Sequence, residues 1–341
     1  MKFMTAALRL LLFAGILMTL ANCTNEPKVV DPPQEEKIAE FPQIDQLTQR
    51  IASNPKDAQL YFARAQSYAQ QEGYDEAIAD LAKAMSIDST NLEYHHFLAD
   101  VYLQYAQSYR AILTLQRAVN LYPDDIPTKL KLCKFHIILT QYPEALKVVQ
   151  QILEKDPQSA EAYFLMGLTF QEEGKTDNAI NAFQTAVEND PDLIDGWIIL
   201  GQLFQAKKDP RALQYFDNAI RLDTANIAAH HTRANYLQQS GQLEEAIAAY
   251  RKISIMNPGY SDAYFNTGLA YLELDSIQKA YQHFNLVVKT EPTNALGYYY
   301  RGITAQLKGQ VEKAKQDFQQ SLSFDPELKE ATQALEALKS K

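Results

Sequence analysis

The chain has 341 residues, of which 46% are hydrophobic, and it carries a formal net charge of −10 at pH 7. This acidic balance argues against nucleic acid as a partner, because binding to phosphates requires a cationic surface. With only two cysteines, Cys23 and Cys133, the chain has no disulfide framework.

The first predicted segment is an export signal over residues 1–22. Its apolar run, Leu10 to Ala21, is too short to span a bilayer core of about 30 Å but suits a signal peptide. The run ends in Leu20-Ala21-Asn22-Cys23, which resembles a bacterial lipobox and implies that Cys23 carries a lipid. Asn22 departs from the usual Gly, Ala or Ser. The alternative is a cleaved signal peptide followed by an unmodified Cys23.

Two further segments precede the main pattern of the chain. Residues 23–42 contain four prolines among charged residues and predict a flexible, semi-extended tether. Residues 43–57 predict an N-terminal capping helix, because Ile44, Leu47 and Ile51 share one helical face.

From residue 58 to residue 328, one pattern recurs every 34 residues and is shortened once to 33. In each period an alanine is followed four residues later by a bulky side chain, and twelve residues later by a proline or its substitute. Residues four apart share a helical face and proline ends a helix, so this pattern predicts the second helix of a two-helix unit. The recurring alanines are Ala77, Ala111, Ala145, Ala179, Ala212, Ala246, Ala280 and Ala314.

The first helix of each unit has an aromatic-rich position followed four residues later by a small residue. The unit that begins near residue 194 has the whole pattern, in Trp197, Leu200, Gly201, Phe204, Ala212 and Phe216. These residues match W-x2-L-G-x2-Y and A-x3-F, and the chain therefore resembles the tetratricopeptide-repeat (TPR) family.

The resemblance implies an all-α fold, a right-handed α-solenoid of about eight TPR repeats. The expected repeats span residues 58–328, and residues 329–341 form a C-terminal capping helix with a polar outer side. We number the repeats 1 to 8. Their expected starts are Ala58, Leu92, Ile126, Ala160, Ile194, Ile227, Ser261 and Ala295.

The turns inside the repeats carry their own signals. Gly73, Gly174, Gly241 and Gly309 are predicted to supply positive φ where the first helix ends. In the shortened repeat, Asp209-Pro210 predicts a helix N-cap followed by proline in the first turn.

The resemblance also implies a binding surface, because the first helices of such arrays line a concave groove. Their fifth position usually points into it, and we call these eight residues the groove row: Phe62, His96, Leu130, Phe164, Ile198, His231, Phe265 and Tyr299. Flanking polar positions predicted to line the groove are Gln66, Asp100, Lys134, Gln202 and Asn235. Acidic residues three positions before the row are Glu93, Glu161, Asp195 and Asp262. An aromatic floor with a polar edge suits a peptide or a helix, although packing between adjacent repeats is an equal alternative for any one residue.

Nothing in the sequence predicts catalysis, a cofactor or a metal site. It has no phosphate-binding glycine loop, no serine elbow and no cysteine and histidine cluster at metal spacing. The adjacent pairs His95-His96 and His230-His231 point about 100° apart on a helix, so neither pair can bind one ion from one face.

The sequence therefore favours a lipid-anchored interaction scaffold, similar in class to outer-membrane lipoproteins with these repeats. Thr24 lacks the aspartate of the familiar inner-membrane retention signal, which favours the outer membrane, facing the periplasm. Envelope proteins or peptides are the expected partners, and a homo-oligomer is a further possibility. A receptor for a small molecule or a cell-wall glycan fragment, near Tyr298 to Tyr300, is the alternative.

Overall fold

The computed structural model describes residues 42–339, which form eighteen α-helices, α1 to α18, and no strand. The predictions for the export signal, for Cys23 and for residues 24–41 of the tether lie outside the described residues. No helix in the described part of the chain is long and apolar enough to cross a membrane.

Sixteen of these helices form eight pairs, and each pair is one repeat. The first helices are α2 Ala58–Ala69, α4 Leu92–Gln104, α6 Ile126–Ile138, α8 Ala160–Glu172, α10 Ile194–Ala206, α12 Ile227–Gln239, α14 Ser261–Glu273 and α16 Ala295–Leu307. The second helices are α3 Tyr74–Ile87, α5 Ser108–Leu121, α7 Tyr142–Leu153, α9 Thr176–Asn189, α11 Ala212–Leu222, α13 Leu243–Met256, α15 Ile277–Thr290 and α17 Val311–Phe324. The predicted all-α solenoid of eight repeats with two capping helices is confirmed.

The two helices of each repeat meet along a seam in which a small residue faces a large one. Gly167, Gly201, Gly268 and Gly302 lie against phenylalanine rings, and a Cβ atom on any of them would come within 2.4 to 2.8 Å of a ring atom. The other repeats pair Ala or Cys with Leu, Val or Tyr. All eight large residues are fully buried: Leu81, Leu115, Val149, Phe183, Phe216, Tyr250, Phe284 and Phe318. The seam therefore sets the distance between paired helices.

In five repeats the side chain at the aromatic-rich fourth position of the first helix forms a hydrogen bond with a carbonyl oxygen of the preceding turn. The Trp197 indole N–H donates to the carbonyl oxygen of Pro191 at 2.8 Å, and the Tyr61 hydroxyl donates to that of Pro55 at 3.2 Å. His95 replaces the aromatic ring in repeat 2 and keeps the bond, with Nε2 3.0 Å from the Ser89 carbonyl oxygen. This histidine therefore serves the architecture.

The turn between paired helices has one residue with positive φ in every repeat, always the fifteenth. It is glycine in three repeats, with φ of 75° at Gly174, Gly241 and Gly309. The prediction for Gly73 is wrong, because its φ is −77° and Glu72 has the positive value of 60°. The Gly73 N–H bonds to the Tyr68 carbonyl oxygen at 2.9 Å, and that six-residue closure needs the left-handed residue one place earlier.

The one-residue deletion shortens α11. Seven second helices begin three residues before their repeat alanine, whereas α11 begins at Ala212 itself. The predicted helix start at Asp209 is therefore wrong, since Asp209 and Pro210 lie in the preceding turn. There the Asp209 carboxylate accepts from the Arg211 N–H at 2.9 Å, and hydrogen bonds from Arg211 lower its pKa to about 2.

Single helices cover both ends of the array. The first, α1 (Pro42–Ser53), buries Ile44, Leu47 and Ile51, and the last, α18 (Lys329–Lys339), buries an apolar stripe of its own. The buried residues of that stripe are Ala331, Leu335 and Leu338. Each helix therefore shields the apolar side of a terminal repeat from water.

Candidate functional site

The first helices of consecutive repeats form one surface, which we call the first-helix face. All thirteen side chains predicted to line a groove belong to these helices. Neighbouring repeats meet across this face, because Lys134 of α6 and Glu161 of α8 form an ion pair with a distance of 2.6 Å.

The groove row lies deeper than a freely exposed stripe would. Phe62, Leu130 and Ile198 are only 4%, 7% and 8% exposed. The other five members are half-buried: His96, Phe164, His231, Phe265 and Tyr299. The row therefore contributes a partly covered floor to the face.

Ring contacts explain why the row is covered. Phe62 packs edge-on against Phe97 of the next repeat, with ring centroids 5.6 Å apart. Phe164 packs in the same way against Phe183 of its own second helix, at 5.4 Å. These side chains stabilise the array, so any role in ligand contact is additional to packing.

The two histidines of the row are part of polar contacts between repeats. His96 Nε2 lies 2.7 Å from the Thr128 hydroxyl, and His231 Nε2 lies 3.1 Å from the amide nitrogen of Asn266. Burial lowers the pKa of both imidazoles below the ordinary value of 6.5. Both are therefore neutral at pH 7 and serve as uncharged hydrogen-bonding groups.

A cleft of about 480 Å³ opens on the first-helix face at repeat 3 and spans parts of three repeats. We call it the repeat-3 cleft; its lining residues are Asp100, Pro127, Leu130, Lys131, Lys134, Phe135, Ile138 and Glu161. Three predicted groove residues, Asp100, Leu130 and Lys134, come together here. The other ten predicted residues lie elsewhere along the face.

Two ion pairs border this cleft. Lys131 Nζ lies 2.6 Å from Asp100 Oδ2, and Lys134 Nζ lies 2.6 Å from Glu161 Oε1. The second pair is about half exposed on both sides. Ile138, at 58% exposure, adds an apolar surface next to these charges. The cleft can thus offer apolar contact and charged hydrogen-bonding groups together.

Sequence reasoning missed Lys131 and Ile138 as lining residues. Lys131 lies three residues before Lys134 on the same helix, and that spacing places both on one side. Ile138 is the thirteenth residue of its repeat, a position that holds glutamine or glutamate in five others: Gln70, Gln104, Glu172, Gln239 and Glu273. An apolar residue at a mostly polar position was the available signal.

The predicted amide residues do not converge on one site. Gln66 and Asn235 are half-buried, and Gln202 is exposed. Asn235 accepts a hydrogen bond from the Tyr250 hydroxyl, which ties it to its own second helix. These amides therefore add polar character along the face.

The tyrosines near the C-terminal end are engaged in packing. Tyr300 stacks on Phe284 with ring centroids 5.4 Å apart, and Tyr299 contacts Phe318 at 5.9 Å. The Arg301 guanidinium lies over the Tyr298 ring, with its Cζ atom 5.0 Å from the ring centroid. All three rings are half-buried, and Tyr299 and Tyr300 also contact each other edge-on, with ring centroids 5.0 Å apart.

The adjacent histidines in α4 point to different partners, His95 to the Ser89 carbonyl and His96 to Thr128. Among residues 42–339, no group of three or more His, Cys, Asp or Glu side chains could hold a metal ion. Cys133 is fully buried, and burial raises the pKa of its thiol to about 12.

Comparison with known families agrees with this geometry. One tetratricopeptide-repeat family matches residues 139–194, 164–227 and 231–295, and a second matches residues 37–96. The chain belongs to the tetratricopeptide-repeat family. Similar curated proteins include the TPR repeat-containing protein YpiA of Bacillus subtilis, 24% identical over 235 residues, which cover 68% of this chain and 55% of YpiA. The Hsp70-Hsp90 organizing protein of Triticum aestivum is 24% identical over 122 residues, 36% of this chain and 20% of that protein.

Solved TPR structures show the same fold. The C-terminal part of a TPR repeat-containing protein from Cytophaga hutchinsonii matches with a TM-score of 0.58 and 17% identity, covering 70% of this chain and 98% of that one. A TPR protein from Parabacteroides merdae matches with a TM-score of 0.50 and 17% identity, covering 72% and 98%. The chain spans about half the length of YpiA and a fifth of the Triticum protein.

Proposed function

We propose that this protein is a non-enzymatic interaction scaffold that binds a peptide or helix of a partner protein on its first-helix face. The observation that carries this proposal is the repeat-3 cleft, where an exposed isoleucine lies beside two ion pairs. A buried apolar anchor surrounded by a polar rim is the usual arrangement of a protein interface. Ile138 is the expected anchor contact.

Two features favour a protein segment over a small molecule as ligand. Residues of three consecutive repeats line the cleft, which suits an extended chain or a helix that contacts several repeats. The aromatic rings of the C-terminal end, which could have stacked on a sugar, are packed against other rings. TPR proteins as a class bind other proteins or peptides, which supports a protein segment as the ligand.

The proposal places the protein in the bacterial envelope, anchored by a lipid on Cys23 at the outer membrane and facing the periplasm. Its support is the sequence Leu20-Ala21-Asn22-Cys23 with Thr24 after it. Cys23→Ser should release the protein from the membrane fraction into the soluble fraction. Cys133→Ser is the matched control and should stay with the membranes; equal fractionation of both variants would contradict the anchor.

The face itself is tested with a photo-crosslinking amino acid placed at single positions in the native host. Position 138 samples the cleft, position 202 samples the same face two repeats away, and position 117, exposed on α5, is the control. We expect reproducible crosslinks to envelope proteins or peptides from positions 138 and 202 and none from position 117. Crosslinks only from position 117 would place the partner elsewhere, and none at all would oppose a scaffold role.

A further inference from the structure

The charges of the first helices are distributed unevenly about the helix axes. Three of their six basic residues are arginines at the seventh position, and all three pair with aspartates of second helices: Arg64 with Asp80, Arg233 with Asp217, and Arg301 with Asp317. These arginines therefore point away from the first-helix face. They leave no positive charge on it.

The remaining basic residues of the first helices all belong to α6. Lys129 is buried, at 6% exposure. Lys131 and Lys134 are paired with Asp100 and Glu161, so their charges are already balanced. Repeat 3 is thus close to neutral at the cleft, and within the described residues no exposed basic side chain of the first helices lacks an ion pair.

Carboxylates occupy the second position of four first helices, and three of these have no ion pair among residues 42–339. The three are Glu93, Asp195 and Asp262, all exposed and all in the first turn of their helices. Glu161, the fourth, lines the repeat-3 cleft. The repeats share one register, so the second position of each first helix lies on the same edge of the first-helix face. Since Glu161 lies at the cleft, we infer that Glu93, Asp195 and Asp262 follow that edge in their own repeats.

We propose that the partner segment recognised by the first-helix face is basic, with lysine or arginine residues interspersed with apolar ones. This inference rests on the proposed function and specifies the chemistry of the ligand. The unpaired carboxylates form one edge, and the half-buried aromatic rings of the groove row (Phe164, Phe265 and Tyr299) together with Ile138 supply the apolar contacts. Complementary charge of this kind accelerates encounter and rejects acidic competitors.

The spacing of the repeats indicates how often the basic residues should recur. Packed helices lie about 8 to 10 Å apart, and an extended chain advances about 3.3 Å per residue. An extended segment therefore passes one repeat in about three residues. A basic residue at every third position would reach the carboxylate edge at each repeat that carries an acid.

The probes are two fluorescein-labelled peptides of fifteen residues, one repeating Lys-Leu-Ser and the other Glu-Leu-Ser. Binding to the protein is followed by fluorescence anisotropy. We expect the lysine peptide to bind about tenfold more tightly than the glutamate peptide, since exposed ion pairs add about 0.2 to 1 kcal/mol each. The affinity for the lysine peptide should fall as salt rises from about 0.03 M to about 0.5 M.

A pair of triple variants with equal net charge locates the effect. Glu93→Gln, Asp195→Asn and Asp262→Asn together remove the carboxylate edge. Their control removes three exposed first-turn acids from second helices, Glu76→Gln, Glu144→Gln and Glu245→Gln. The edge variant should lose most of the preference for lysine, about tenfold in affinity, and the control should retain it.

Each other outcome overturns the inference. Equal losses in both triple variants would mean that net charge alone attracts the peptide, and equal or tighter binding of the glutamate peptide would reverse the sign. Failure of the lysine peptide to bind would also reject a basic ligand. If crosslinks from position 138 identify a partner segment without basic residues, this inference fails while the scaffold function stands. Absence of crosslinks from both positions 138 and 202 would oppose the scaffold function itself.

Discussion

The two sides of the first helices use the same ion-pair chemistry in different environments. On the side toward the second helices, Arg64 and Asp80 are 16% and 8% exposed, and two hydrogen bonds of 2.7 Å join them. On the first-helix face, Lys134 and Glu161 are each 50% exposed. A charge pair withdrawn from water becomes part of the architecture, whereas an exposed pair is weak enough to be exchanged for a ligand.

The largest expected effect comes from breaking the buried pair. Arg64→Met leaves Asp80 buried without its partner, and we expect the free energy of unfolding to fall by about 3 kcal/mol. Lys134→Met, the matched change in the exposed pair, should cost less than about 1 kcal/mol. Urea denaturation followed by circular dichroism measures both. Equal losses would show that burial does not distinguish the two pairs.

The seam is the next most sensitive region. In Gly201→Ala the new Cβ would lie 2.4 Å from a ring atom of Phe216, which forces the paired helices to shift. We expect a loss of about 1 to 3 kcal/mol in the free energy of unfolding. Gly259→Ala is the control, because its Cβ would meet only a side-chain oxygen at 3.5 Å. Helix propensity alone would make Gly201→Ala stabilising. A rise in the free energy of unfolding would therefore contradict the close contact between Gly201 and Phe216.

The first-helix face should separate packing from binding. Phe164→Ala removes a half-buried ring that contacts Phe183, and should lower stability by about 1 to 2 kcal/mol. Ile138→Ser changes an exposed side chain and should alter stability by less than about 0.5 kcal/mol. Only Ile138→Ser should weaken crosslinking of the partner from position 202 without a change in melting temperature. A large fall in melting temperature for Ile138→Ser would contradict its placement.

The smallest expected effect is a pH dependence. Burial lowers the pKa of His96 and His231 below 6.5, so the unfolded chain takes up protons that the native chain does not. Protonation of these histidines therefore does not affect the free energy of unfolding above about pH 6.5. As the pH falls from there toward their lowered pKa values, the free energy of unfolding decreases. Thermal melts between about pH 5 and pH 8 should therefore differ between the wild type and His96→Gln/His231→Gln, with a flatter profile for the variant. Parallel profiles would exclude this coupling.

Periodic packing within a repeat could be predicted well. The starts of all eight first helices and the fit of Gly201 over Phe216 follow from residues in one 34-residue unit. The turns were harder to predict from the sequence. In repeat 1 the positive φ was expected at Gly73 but lies one residue earlier, at Glu72. A local pattern reports where helices begin and pack, but not which residue of a turn closes the hydrogen bond.

The sequence alone determined the repeat, its register and the seam, because each depends on contacts inside one unit that recurs eight times. Only the tertiary structure decided which row residues are covered, such as Phe62, and which charges are paired, such as Lys134 with Glu161. Those outcomes depend on the side chains of the neighbouring repeat. Burial and ion pairing are set by the distances between side chains of different repeats. The sequence pattern of one repeat does not specify those distances.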